Sequence, residues 1–226
     1  MITLKNFSKS YNSNIVLSDI NLTLEPNKII GVVGKNGSGK STLLKCLASI
    51  ESYDGEITYK GKENIKKIGY LPTHPFVLSK ITGLEYLQLL CNARNIDFKF
   101  ENTVNIFELP LNEYAENYST GMLKKLAITA LLLQKNQIYL LDEPYNGLDL
   151  ESNFMLDTII KHLKANNKTV IISSHMLKGL YEVCDQINFI ENKSIQQLND
   201  KNTFHTLENY INSTGFNNKI KSLIAR

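Results

Sequence analysis

Cysteine is scarce in this sequence and poorly placed for disulfide or metal chemistry. Cys46, Cys91 and Cys184 are odd in number and far apart, and none forms a CxxC pair. Neither a disulfide framework nor a zinc site is indicated, and reduced thiols are expected. Charge of one sign is also lacking. A net +3 over 226 residues is too small to argue for nucleic acid, and none is expected as a partner. Lys60, Lys62, Lys66 and Lys67 cluster locally, which reads as a solvated face. Long apolar runs are missing. The strongest, Leu126 to Leu133, is interrupted by Thr129 and falls far short of the roughly 20 residues that span a bilayer. Met1 to Lys5 holds no apolar signal region. The chain is therefore expected not to cross a membrane by itself. What is present, 42% hydrophobic and 21% charged residues, is the composition of a globular protein with a substantial core.

The informative stretch is Gly34 to Thr42, Gly-Lys-Asn-Gly-Ser-Gly-Lys-Ser-Thr. Before it, Lys28 to Val33 suits a buried parallel strand; after it, Leu43 to Ala48 suits a helix with an apolar face. Between them Gly34, Gly39, Lys40 and Ser41 meet the phosphate-binding pattern G-x-x-x-x-G-K-[ST]. Gly34, Gly37 and Gly39 permit a tight turn whose successive amides converge on anionic oxygens. The following helix adds the positive end of its dipole. Lys40 brings a full positive charge to the outer phosphates, and Ser41 offers a hydroxyl to Mg²⁺. A glycine-rich turn without a ligand is the alternative, and the strand and helix contexts argue against it.

Strands are expected at 2–8, 15–25, 56–59, 68–71, 138–141, 169–173 and 186–191. Helices are expected from Thr82, over 101–108, 119–134, 150–165 and 176–183, with a further short one at 204–211. Thr82-Gly83-Leu84-Glu85 fits a capping box. Strands alternating with helices indicate an α/β protein with a parallel sheet, and the helical stretch beginning near Thr82 reads as an inserted lobe. A second constellation ends the strand at 138–141: Asp142 and Glu143 follow it directly. Beside a phosphate loop, Asp142 would hold Mg²⁺ directly or through water, and Glu143 would polarise an attacking water.

In these motifs the sequence resembles the ATP-binding cassette ATPases over about residues 1 to 195. Gly34 to Thr42 and Ile138 to Glu143 match the family's two nucleotide motifs. Tyr118-Ser119-Thr120-Gly121-Met122 lies where the family has its signature, and Asn146-Gly147-Leu148-Asp149 matches the segment joining two subunits' sites. His175 matches the switch histidine, and Tyr11 the aromatic residue that stacks on adenine. The resemblance implies a P-loop NTPase core with a parallel-rich sheet, an antiparallel N-terminal β subdomain and an inserted helical lobe. It implies one domain over 1–200, with core segments 1–80 and 136–200 and a lobe at 81–135, followed by an extension at 201–226.

For the site, the resemblance implies ATP and Mg²⁺, with Glu143 and His175 catalytic. Nucleotide binding would fall to Tyr11, Gly34, Asn36, Gly37, Ser38, Gly39, Lys40, Ser41, Thr42, Ser119, Gly121 and Asp149. Metal contacts would fall to Ser41, Asp142 and Thr73. Simpler roles stand beside these: Ser119 as a helix cap, Asp149 as a helix-start residue, His175 as a structural histidine, Tyr11 as a packing residue.

Three positions depart from the family pattern. Thr120 and Met122 replace a glycine and a glutamine of the signature, and this form, with Lys124 and Lys125 after it, is similar to that of bacterial exporter subunits. Asn27 replaces a turn glycine, a mild change because asparagine tolerates left-handed backbone. Thr73 stands where glutamine usually reaches Mg²⁺ and the attacking water, with His74 next to it. The expected function is the ATP-hydrolysing subunit of a transporter, working as a homo- or heterodimer. It would lie on the cytoplasmic face of the cell membrane, held there by separate membrane-spanning partners. A non-transport cassette ATPase acting in complex assembly, and a nucleotide-binding regulator without hydrolysis, are the alternatives. Glu143 and His175 argue against the last.

Overall fold

The computed structural model describes residues 1–59, 67–97, 105–175 and 179–198. Two sheets organise it. The first is antiparallel, ordered β2-β1-β4, from β1 (Ile2–Tyr11), β2 (Asn14–Leu24) and β4 (Asp54–Tyr59). The second is ordered β5-β6-β7-β3-β8-β9, from β3 (Ile29–Val33), β5 (Ile68–Leu71), β6 (Ile138–Asp142), β7 (Thr169–Ser174), β8 (Gln186–Glu191) and β9 (Ser194–Leu198). All its pairings are parallel except that of β9, which returns antiparallel along β8.

The central strands read as continuous apolar runs because both their faces are buried. Ile30, Val32, Leu140 and Ile171 face a cluster shared with α1 (Lys40–Leu47) and the antiparallel sheet. Their strand neighbours Ile29, Val33, Tyr139, Leu141, Val170 and Ile172 face the opposite cluster. That cluster includes residues of α2 (Gly83–Asn92), α3 (Thr120–Leu133), α4 (Leu150–Ala165) and the single turn α5 (Leu180–Val183). Side chains alternate across a strand, so one run supplies two cores. This is the P-loop NTPase α/β fold, and α2 and α3 form the helical insertion between β5 and β6. Among the described residues no helix is long and apolar enough to cross a membrane.

The helix starts follow local chemistry. Thr82 accepts from the Glu85 amide at 3.2 Å, and the Glu85 carboxylate accepts from the Thr82 amide at 2.7 Å, completing the expected capping box. Ser119 caps α3 by accepting from the Met122 amide at 3.2 Å, and Asp149 caps α4 by accepting from the Ser152 amide at 2.8 Å. Asn27 adopts φ 59°, the left-handed backbone expected of it.

Three expectations change. Residues 105–108 are not helical, because the Asn105 amide bonds both the N–H and the carbonyl of Leu109, at 2.9 and 2.8 Å, and so competes with a helical turn. β9 was not expected. β1 runs on to Tyr11, with register irregularities against β2 beyond Leu4. The rest of the 101–108 helix, the first turn of the 176–183 helix, the 204–211 helix and most of the lysine cluster lie outside the described residues.

Candidate nucleotide site

The phosphate loop leaves β3 at the centre of the parallel sheet, and α1 begins inside the motif, at Lys40. Gly39 precedes it at φ 106°, a backbone that L side chains rarely adopt. No side chain caps α1. Its first-turn amides therefore lack the usual side-chain acceptor and open onto a cleft of about 430 Å³. Asn36, Gly37, Gly39, Lys40, Ser41 and Thr42 line one wall of that cleft; Thr73, Glu143, Asn146, His175 and Val16 complete it. Among the described residues the buried Ser38 hydroxyl has no hydrogen-bond partner, and a Cβ on Gly34 would lie 2.6 Å from it. Lys40 is buried, and its ammonium donates to the Gly34 and Lys35 carbonyls at 2.9 and 3.2 Å.

Asp142, at the end of β6, is surrounded by hydroxyl donors. Its Oδ1 accepts from Ser41 at 3.0 Å and from Ser173 at 2.5 Å. Its Oδ2 accepts from Thr73 at 2.9 Å and from Tyr70 at 3.4 Å. Burial and the neighbouring carboxylate push the Tyr70 hydroxyl well above its usual pKa, so it remains a donor. Ser173 belongs to β7 and faces Asp142 in parallel register. Its Oγ also accepts from the Glu143 amide at 2.9 Å.

Glu143 follows with φ 47°, a left-handed backbone uncommon for a residue with a side chain. Its carboxylate lies 3.6 Å from the Lys40 ammonium and 3.0 Å from His175 Nδ1. The six side chains of Lys40, Ser41, Thr73, Asp142, Glu143 and His175 thus converge.

Other expected residues stand apart. Ser119, Gly121 and Asp149 do not line the cleft. The segments that carry them meet instead: a Cβ on Gly121 would lie 2.6 Å from the Gly147 carbonyl oxygen, and Lys125 bonds Asp149 at 2.9 Å. The Ser152 and Lys125 donors hold the Asp149 carboxyl well below the usual range. Tyr11 is exposed at the end of β1, with the Lys9 ammonium 4.5 Å from its ring centre. Ser173, Tyr70 and Lys124 are the site neighbours that sequence reasoning missed. A polar residue ending an otherwise apolar parallel strand was the available signal for Ser173.

The residues present fit a nucleotide and its ion. The uncapped helix start, the orphaned Ser38 hydroxyl and the buried ammonium suit phosphate oxygens. Among the described residues no cluster of three or more His, Cys, Asp or Glu could form a metal cage. Ser41 and Asp142 supply two hard oxygens 3.0 Å apart, a donor set suited to Mg²⁺ that also binds phosphate.

The family described as ABC transporter matches residues 17–146. The ABC transporter ATP-binding protein YtrB of Bacillus subtilis is 33% identical over 88% of this chain and 72% of its own length. The bacitracin transport ATP-binding protein BcrA of Enterococcus faecalis is 31% identical over 91% of this chain and 73% of its own. A solved ATP-binding subunit of an ABC transporter superposes with a TM-score of 0.76 over 92% of this chain and 93% of that one, at 22% identity, which bears on the fold alone. With the family's pattern spanning both nucleotide motifs and relatives alike along most of its length, the chain belongs to the ABC transporter family and is an ABC-type ATPase.

Proposed function

We propose that the chain powers a membrane transporter, most consistently an exporter, by closing with a second ATPase subunit around two ATP molecules. One observation carries this reading. The catalytic group is complete within one chain, whereas the capped start of α3, with Ser119 and Gly121, lies outside that chain's own cleft. A helix start that can bind phosphate but does not face its own site is placed to serve a partner's site. Asp149, beside it, would meet the opposing subunit.

Within each site the loop amides and Lys40 bind and orient the phosphates, and Tyr11 offers an aromatic face to the base. Ser41 and Asp142 would hold Mg²⁺, with Thr73 acting on it through Asp142 or a water. The ion, when bound, neutralises charge developing on the transferred phosphate. Glu143 takes up the proton of the attacking water, and His175 holds its carboxylate in place. The domain reading is 1–200 as one unit, with the lobe at 81–135 inserted in the core and 201–226 as an extension.

Closure and release of the pair would drive membrane-spanning partners docked where core and lobe meet, near Thr73 to Glu85. Phe76 and Leu78 are exposed there, at 75% and 48%. On this reading the chain works at the cytoplasmic face of the cell membrane, held there by its partner. The signature form Tyr-Ser-Thr-Gly-Met and the likeness to a bacitracin transport subunit support export. The test is to tag the chain at its natural level, cross-link, solubilise in detergent and identify what co-purifies. A polytopic membrane protein in fixed ratio is expected. A chain found wholly with soluble partners would overturn the transporter reading in favour of an assembly ATPase.

A further inference from the structure

Lys124 lies on α3 one turn beyond Ser119 and Gly121, and it is fully buried. Its ammonium has three acceptors, all main-chain carbonyls: Thr73 at 2.6 Å, Glu143 at 3.3 Å and Pro72 at 3.4 Å. An ammonium has three protons, so the set is matched. The acceptors belong to the two segments that carry the side chains around Asp142, and the donor belongs to the lobe helix that carries the signature.

An apolar residue of similar volume commonly serves stability as well as a buried charge does. Packing alone therefore gives no reason for lysine here. Carbonyl contacts fix backbone, and backbone sets the direction in which the Thr73 and Glu143 side chains leave the chain. At Glu143 the left-handed backbone is held from both sides: Ser173 accepts from its N–H, and Lys124 donates to its carbonyl.

We infer that Lys124 is a positioning residue that fastens the signature helix to the Glu143 and Thr73 backbones, so that the lobe's orientation and the aim of the hydrolytic carboxylate change together. The inference rests on the reading of Glu143 as the hydrolytic base. A displacement of about 1 Å at such a group costs on the order of 10²-fold in rate.

The experiment compares Lys124→Met, which keeps length and removes every donor, with Lys124→Gln, which keeps two donors on a shorter stem. Turnover is read by phosphate release, ATP affinity with a fluorescent ATP analogue, and folding by thermal melting, with Glu143→Gln beside them. The expected result is kcat at least tenfold lower in Lys124→Met and about threefold or more lower in Lys124→Gln, with ATP affinity within threefold of wild type in both. Turnover per folded molecule within twofold of wild type, or ATP affinity lost in step with turnover, overturns the inference. If Lys124→Met does not fold, the Lys124→Gln values decide alone. Full turnover in Glu143→Gln would sink the hydrolytic reading itself; an inactive Glu143→Gln beside unimpaired Lys124 variants sinks only the role given to Lys124.

Discussion

Replacing Ser173 with alanine removes one hydroxyl that serves two neighbouring residues of the site. The side chain is fully buried, donates to Asp142 at 2.5 Å and accepts from the Glu143 amide at 2.9 Å. In Ser173→Ala the buried Glu143 N–H loses its acceptor, which costs about 1–3 kcal/mol. For a chain of this size each kcal/mol lowers Tm by about 2–4 °C, so a fall of roughly 2–12 °C is expected in a thermal melt. The kinetic effect is separate. Asp142 loses the shortest of its four hydroxyl contacts, and Glu143 loses a restraint on an unfavourable backbone. Turnover is predicted to fall about 10–100-fold, the scale of a sub-ångström to ångström displacement, with ATP affinity within threefold. Ser173→Thr keeps the hydroxyl and should recover most of the turnover, although its extra methyl in a full site costs stability. A Ser173→Ala protein with unchanged Tm and kcat within twofold of wild type would refute this account of the site.

Lys40→Ala removes the buried ammonium at the mouth of the loop and should abolish productive ATP binding; normal ATPase activity would overturn the phosphate-loop assignment. Glu143→Gln should lose about 10²–10⁴-fold in turnover while ATP still binds, and sedimentation with MgATP should then show a stable dimer. A monomer under those conditions would count against the two-subunit sandwich. Thr73→Gln replaces a hydroxyl held on Asp142 by a longer amide able to reach the ion, and basal hydrolysis should rise; activity no higher than the parent's would count against any lowering of hydrolysis by Thr73. Gly121→Ala places a Cβ 2.6 Å from the Gly147 carbonyl oxygen, so α3 or the loop before α4 must shift, at about 1–3 kcal/mol. An unchanged Tm in that variant would show that the two segments part freely.

The phosphate loop, the strand ending in Asp142 and Glu143, and the three capped helix starts were legible because each is written in adjacent residues. Glycine, serine, threonine and aspartate at fixed offsets state their own geometry. What sequence did not show depends on pairing across distance. β9 holds only two apolar residues in five, and its hairpin turns through Asn192 and Lys193, both at positive φ. Such a turn is usually announced by a glycine, and lysine gives no hint of it. In the sequence Lys124 and Lys125 are only a pair of lysines following the signature; the fold shows Lys124 buried under three carbonyls, while Lys125 beside it reaches Asp149. The 101–108 stretch reads as a short helix ending before Pro110, but its described part follows the Asn105 side chain instead. Ser173 was read as strand, correctly, and its meaning waited on its register with Asp142.

The position of β3 between β7 and β8 has a consequence for how the protein is made. β3 is the third strand synthesised, yet residues 29–33 pair with 170–174 on one side and 186–189 on the other. At about 5–20 residues per second, a ribosome needs roughly 7–30 s to move from the end of β3 to the end of β7. Throughout that interval an apolar strand and the loop it supports have neither neighbour, and the strand edges are open to other chains. A nascent chain can therefore contain the whole phosphate-binding sequence without its sheet support. Nucleotide competence arrives late and in one step, when the C-terminal strands close the sheet, and a chain cut short before β8 would be prone to aggregate instead of being partly active.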